Sequence, residues 1–222
     1  IGAIHSFSFH NYVTLFTTPE LIDMIIGSIA LAIGSAVLAT ILGTTGAIGA
    51  FYSKKNVNGT MSVLNQIPVV NADVVTGFSL CILLVVVFGI SKNTYIPLII
   101  GHTVLSAPFV YLAVVPKLKQ MDPSLYEAAL DLGATPGYTL IHIIIPQIAS
   151  GIVSGFVMAV TLSLDDYFVA TYTKPATFDT ISTYVVNATK GSQTNIKTAL
   201  WALSTIIFLI VVIVEVVMNF AP

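Results

Sequence analysis

The run from Met24 to Phe51 carries no charged side chain until Lys54 follows it. A helix crosses the hydrocarbon layer of a membrane with about 20 apolar residues. Four further apolar stretches follow, at about 61–90, 96–115, 148–172 and 198–220. They are continuous rather than alternating, which fits helices and not the strands of a barrel. The predicted fold is therefore all-α: a polytopic transmembrane helical bundle, one domain over 1–222, with five spans. Charged residues make up only 8% of the chain and hydrophobic ones 56%. A soluble domain carries about 25% charge to cover its surface.

The same composition excludes other classes. All basic residues are lysine, and the net charge is −2. Nucleic-acid recognition depends on arginine and a basic surface, so none is expected here. Cys81 is the one cysteine and cannot form an internal disulfide or a zinc cluster; it reads as a small apolar packing residue. Gly43-Thr44-Thr45-Gly46 lacks the Lys-Ser/Thr of a phosphate loop. No nucleophile–base pair is set by spacing. The chain is not expected to be an enzyme or to hold a cofactor or metal.

The first stretch is rich in small residues (Gly27, Gly34, Gly43, Gly46, Gly49), which let helices approach closely inside a bundle. The second has a polar first half with Asn65, Gln66, Pro68, Asn71 and Asp73. Pro97 and Pro116 bracket the third, and Pro108 is expected to kink it. The fourth contains Asp165 and Asp166. The fifth has Trp201 as an interfacial anchor at one end and Glu215 towards the other. Residues 1–23 read as a polar leader, 173–197 as a loop. With alternating spans, Lys54, Lys55, Lys117 and Lys119 fall on one side, and Lys92, Lys174, Lys190 and Lys197 on the other. The close pairs lean towards the first group being cytoplasmic. The chain begins at Ile1 without Met or a signal pattern, and a sixth span before it is expected.

The most readable segment is the insert between the third and fourth stretches. Asp122 is suited to an N-cap and Pro123 to a first helical position. Gly133 supplies a left-handed stop. Thr135-Pro136 repeats the cap-plus-proline start, and Pro146 ends the second run. Two short helices, 123–132 and 136–145, are predicted, hinged at Gly133-Ala134. Ten residues rise about 15 Å, too little to span. The first helix is expected outside the membrane, offering Leu125, Tyr126, Ala129 and Leu132. On capping and amphipathicity alone, a helix packed on its own protein is the competing reading.

The spacing Glu127-Ala128-Ala129, three residues, Gly133, nine residues, Ile143-Ile144-Ile145-Pro146 resembles the EAA loop of binding-protein-dependent ABC importer permeases, E-A-A-x3-G-x9-I-x-L-P. Ile145 replaces the usual Leu. Thr161-Leu162-Ser163-Leu164-Asp165-Asp166 is similar to the L-S-x-D-D run of the spermidine/putrescine permeases. Asn71-Ala72-Asp73-Val74-Val75 is similar to their S-P-D-I-V region without its Pro, and Phe9-His10-Asn11-Tyr12 is a weaker match; the likeness runs from about 9 to 215. The resemblance implies a permease subunit of the cell (inner) membrane, taking up spermidine or putrescine by alternating access. It implies a second permease subunit, cytoplasmic ATPase subunits that hold the ATP and Mg, and an extracytoplasmic binding protein. It implies coupling helices over 122–146, with Glu127, Ala128, Ala129 and Gly133 docking on the ATPase beside Leu125 and Tyr126.

Asp73, Asp165 and Asp166 share no stretch with a lysine. A charge at a helix centre costs about 2.5–3.5 kcal/mol on insertion scales. Such residues suggest a polar cavity suited to a cationic ligand, and Tyr167 could add a cation–π contact. Asp165-Asp166 could instead end an apolar run at the interface, and Asp73 could cap a re-entrant break. His102 reads as a helix–helix hydrogen bonder. Other ligands of the iron or phosphonate type, and a channel or scaffold without ATP coupling, remain alternatives.

Overall fold

The computed structural model describes residues 17–190, Val13 and separate positions between 203 and 216. Most of the fifth apolar stretch, with Trp201 and Glu215, and most of the leader lie outside the described residues. Every described element is helical.

Helix α1 spans Pro19–Phe51. It begins before the apolar run because Thr18 is extended and Pro19 fits the first turn. Leu21 and Met24 then bury against Ile181 and Leu203. One face of α1 is a buried stripe of small side chains: Ser28, Ala32, Ser35, Ala36, Ala39, Ala47 and Ala50. Ile26, Ile33, Ile41 and Leu42 on the other face are exposed. The stripe follows the helical period, but Gly34 and Gly49, two of the small residues marked from sequence, are exposed on the other face.

The second apolar stretch is not one rod. It forms α2 (Lys55–Val70) and α3 (Asp73–Val87), bent by 104°. Asn71 and Ala72 between them are extended. Pro68 has already removed a donor one turn earlier, and Asp73 suits the positive end of the new helix. No residue of α2 is buried. The last turns of α3 widen to a π-helix from Ile82 to Val87.

Helix α4 runs Ile96–Gln120. Pro116 does not end it, contrary to the bracketing expected from sequence. Leu118 and Met121 beyond the proline are buried in the main core, and burying such side chains yields about 1.5–3 kcal/mol each. That offsets a proline cost of about 3 kcal/mol.

The insert is α5 (Ser124–Asp131), then α6 (Pro136–Gln147) with a π-helical middle from Leu140 to Ile144. Helix α7 (Ala149–Asp165) follows at 72° to α6. The fourth stretch does not continue as one helix to 172: it breaks at Asp166-Tyr167 and resumes as α8 (Phe168–Thr173). The stretch expected as a loop contains α9, Ile181–Lys190, whose Ile181 and Thr183 are buried.

Helices α1, α4 and α7 form the centre. A Cβ at Gly43 would lie 2.7 Å from Val110 Cβ, and one at Gly155 3.1 Å from Val110 Cα. Ser35 and His102 both reach Ser163. These pairings make α1 and α4 parallel and α7 antiparallel to both. The C-terminal ends of α1 and α4 therefore share one end of the bundle with the insert, where Tyr52 and Tyr126 rings lie 4.9 Å apart. Tyr95 and Phe178 meet at the opposite end, 5.4 Å apart. Two helices, Leu21–Phe51 and Ile96–Gln120, are each long and apolar enough to cross a membrane.

Candidate functional site: the handle and the carboxylate joint

The insert of α5 and α6, the handle of the bundle, is built as its punctuation dictates. The Asp122 carboxylate accepts from the Ser124 backbone N–H at 2.9 Å and from its hydroxyl at 2.7 Å. These bonds hold the exposed Asp122 carboxyl below its ordinary pKa of 3.8. Gly133 has φ +88°. The Ala134 N–H reaches Ala129 O at 3.0 Å, and the Gly133 N–H reaches Leu130 O at 2.9 Å. That is a Schellman ending, which needs the left-handed residue glycine provides. The Thr135 hydroxyl then accepts from Tyr138 N–H at 3.4 Å, opening α6 at Pro136.

The face turned outward differs from the one expected. Leu125 and Tyr126 pack on the chain's own core, and Ala129 is buried. A helix of this length holds its place only through buried apolar area, and these residues supply it. Glu127, Ala128, Asp131 and Leu132 are exposed, Leu132 to 90%. Sequence reasoning had placed Leu132 and Ala129 together; tertiary packing separates them.

The carboxylates sit at the two helix breaks, which the fold brings together. A Cβ at Gly77 in α3 would lie 2.9 Å from the Val169 Cα in α8. Asp73 and Asp165 both lie within electrostatic reach of Asp166. The three do not play one part. Asp166 is buried, and its carboxylate caps α8, accepting from Val169 N–H at 3.2 Å and Ala170 N–H at 2.7 Å. Its carbonyl accepts from the Ser182 hydroxyl of α9. Asp73 is exposed in the first turn of α3. Asp165 is exposed and, with Tyr167, lines an open cleft of about 420 Å³ that also takes in Thr161, Ser182 and Phe208.

His102 is fully buried, as a helix–helix hydrogen bonder should be. Its Nδ1 lies 2.8 Å from Ser163 Oγ, which lies 3.2 Å from Ser35 Oγ. Its Nε2 has no hydrogen-bond partner and stands 3.6 Å from Asp166 Oδ2. Leaving a buried polar group unpaired costs about 1–3 kcal/mol. Sequence reasoning missed Ser35 and Ser182 and had Ser163 only within the L-S-x-D-D run, because a serine along one segment gives no sign of which neighbour it faces. No cluster of metal-binding side chains occurs among the described residues.

The chain is thus a helical bundle with a two-helix handle at one end and broken, carboxylate-bearing helices within. Residues 43–221 match the family described as binding-protein-dependent transport system inner membrane component. The chain belongs to that family and is a membrane protein. It is 31% identical over 213 residues to the spermidine/putrescine transport system permease protein PotC of Haemophilus influenzae, covering 94% of this chain and 80% of the relative. It is 33% identical over 151 residues to the putrescine transport system permease protein PotI of Escherichia coli K12, covering 65% of this chain and 53% of that one. Among solved structures, a bacterial alginate ABC transporter in complex with an alginate pentasaccharide-bound periplasmic protein matches with TM-score 0.69 at 19% identity, over 96% of this chain and 83% of that one. The MetNI methionine ABC transporter in inward-facing form matches with TM-score 0.65 at 13% identity, over 91% of this chain and 96% of that one. At those identities the likeness is one of fold.

Proposed function

We propose that this chain is the permease subunit of an ATP-driven importer that takes up a polyamine of the spermidine or putrescine kind. The Schellman-closed handle, with the E-A-A-x3-G spacing and Glu127, Ala128 and Leu132 turned outward, carries the reading. An ATPase subunit in the cytoplasm grips that face; ATP and Mg belong to it, and hydrolysis happens there. A second permease subunit completes the pathway, and an extracytoplasmic binding protein delivers the ligand. Because α1 and α4 run parallel, α2 and α3 together make the return crossing between them. Helix α7 makes the next crossing.

The ligand assignment rests on the similarity to the polyamine permeases and on the carboxylates at the two helix breaks. Asp165 is the carboxylate of the translocation cleft, Tyr167 its aromatic wall, and Asp73 a further acidic group nearby. Polyammonium ligands suit such a site, since an ammonium over a ring or beside a carboxylate replaces lost hydration. The test is uptake of labelled putrescine and spermidine by the reconstituted importer. Glu127→Lys should weaken ATPase association and uptake together. Asp165→Asn should cut uptake while the complex still assembles. Normal ATPase association in Glu127→Lys would favour a channel or scaffold, and normal uptake in Asp165→Asn would remove the acidic cleft.

A further inference from the structure

His102, Ser163 and Asp166 bring buried polar side chains together at one joint, the break between α7 and α8. A carboxylate only accepts hydrogen bonds, so the ring nitrogen facing Asp166 is the one that carries the proton. Nδ1 is then the acceptor, and Ser163 donates to it across 2.8 Å. Ser106 Oγ, one turn on from His102 along α4, and Thr44 Oγ1 on α1 are buried without a hydrogen-bond partner, and His102 Nε2 is left without one at the joint, 3.6 Å from Asp166 Oδ2. A bond there needs about 3.0 Å, so the joint is roughly half an ångström from closing. Asp166 is fixed to α8 by its cap and to α9 through Ser182, so what closes the gap is movement of α4 against that unit. The far end of α4 leads through Met121 directly into the handle.

We propose that His102 is a positioning residue for transport: it latches α4 to the Asp166 break, so that movement of the handle sets how Asp165 and Tyr167 are presented in the cleft. The role of the cleft rests on the function proposed above; the latch itself is a property of this chain. His102 stands eighteen residues before Gln120, about 27 Å along one helix. The helix is continuous between the two points although Pro108 and Pro116 lie within it, so a tilt at the handle reaches the joint along one element, past the close packing of Val110 on Gly43 and Gly155.

The complete importer in proteoliposomes tests it, read as polyamine molecules taken up per ATP hydrolysed. His102→Leu should lower that ratio about tenfold, because hydrolysis continues while the cleft is no longer set. His102→Gln keeps an acceptor for Ser163 and a donor for Asp166, and should recover most of it. A residue that only supported folding would lower uptake and hydrolysis alike and leave the ratio unchanged; that result, or failure of His102→Gln to recover, would overturn the latch. A second reading does not depend on the ligand. With Cys81→Ser as background, spin labels on Leu112→Cys and Phe168→Cys in the purified complex report the distance between α4 and α8. His102→Leu should broaden that distribution and His102→Gln restore it. An unaltered distribution sinks the proposal, even if Asp165→Asn behaves as expected. Conversely, a parent importer that takes up no polyamine while the labels respond to His102→Leu removes the ligand assignment and keeps the latch.

Discussion

Single residues in the handle carry distinct physical duties. Gly133 at φ +88° occupies a region that costs other L-residues about 1–2 kcal/mol. Gly133→Ala should therefore reduce ATP-driven uptake, and Gly133→Asn should reduce it less, because Asn tolerates the left-handed region. Leu132 and Leu125 separate docking from support. Leu132→Ser should leave the melting temperature of the permease unchanged and weaken its capture by the ATPase. Leu125→Ser, on the buried side, should lower the melting temperature. Asp122 has a folded pKa below its ordinary 3.8, so its stabilising effect is present above that value and lost as pH falls through the folded pKa. The stability difference between the parent and Asp122→Asn should thus shrink below about pH 4, as followed by melting at stepped pH.

At the scale of elements, close approach is selective rather than general along α1. A Cβ at Gly43 would meet Ala107 O at 2.7 Å, whereas Gly49 has nothing within 4 Å. Gly43→Ala should destabilise the α1–α4 pair by about 1–3 kcal/mol. Gly49→Ala should be neutral or slightly stabilising through helix propensity. Thermal unfolding in detergent distinguishes the two. The apolar run predicted α1 well, yet it could not say which of its glycines touch a neighbour. The handle was legible to within a residue or two, since caps and left-handed stops act locally. The breaks at 71–72 and 166–167 were half legible: Asn71, Asp73 and the aspartate pair marked polar interruptions, but apolar flanks on both sides also suited a continuous rod.

For the whole molecule, the parallel run of α1 and α4 groups the lysines that counting alone left balanced. Lys54 and Lys119 stand at the handle end, and Lys174 stands at the other, where its ion pair with Asp179 at 2.9 Å ties the segment carrying Phe178. Cysteines introduced singly by Lys54→Cys and Lys119→Cys should react with an impermeant thiol reagent from the cytoplasmic side only. Lys92→Cys should react from the opposite side only. Labelling of all three from one side would contradict the bundle's polarity.

Sequence by itself determined that this chain is an all-helical membrane protein, and it marked the capped and glycine-stopped pair of helices between its third and fourth apolar stretches. Those features depend on hydrophobic length, helical period and local backbone chemistry, all of which act within a few residues. Only the tertiary structure decided that Asp166 is a buried cap while Asp165 faces the cleft, that Leu125 and Tyr126 support the handle while Leu132 presents it, and that His102, Ser163 and Ser35 meet. Each of those depends on which side chain from a distant helix arrives at the same place, and hydropathy and spacing along one segment hold no record of its neighbours.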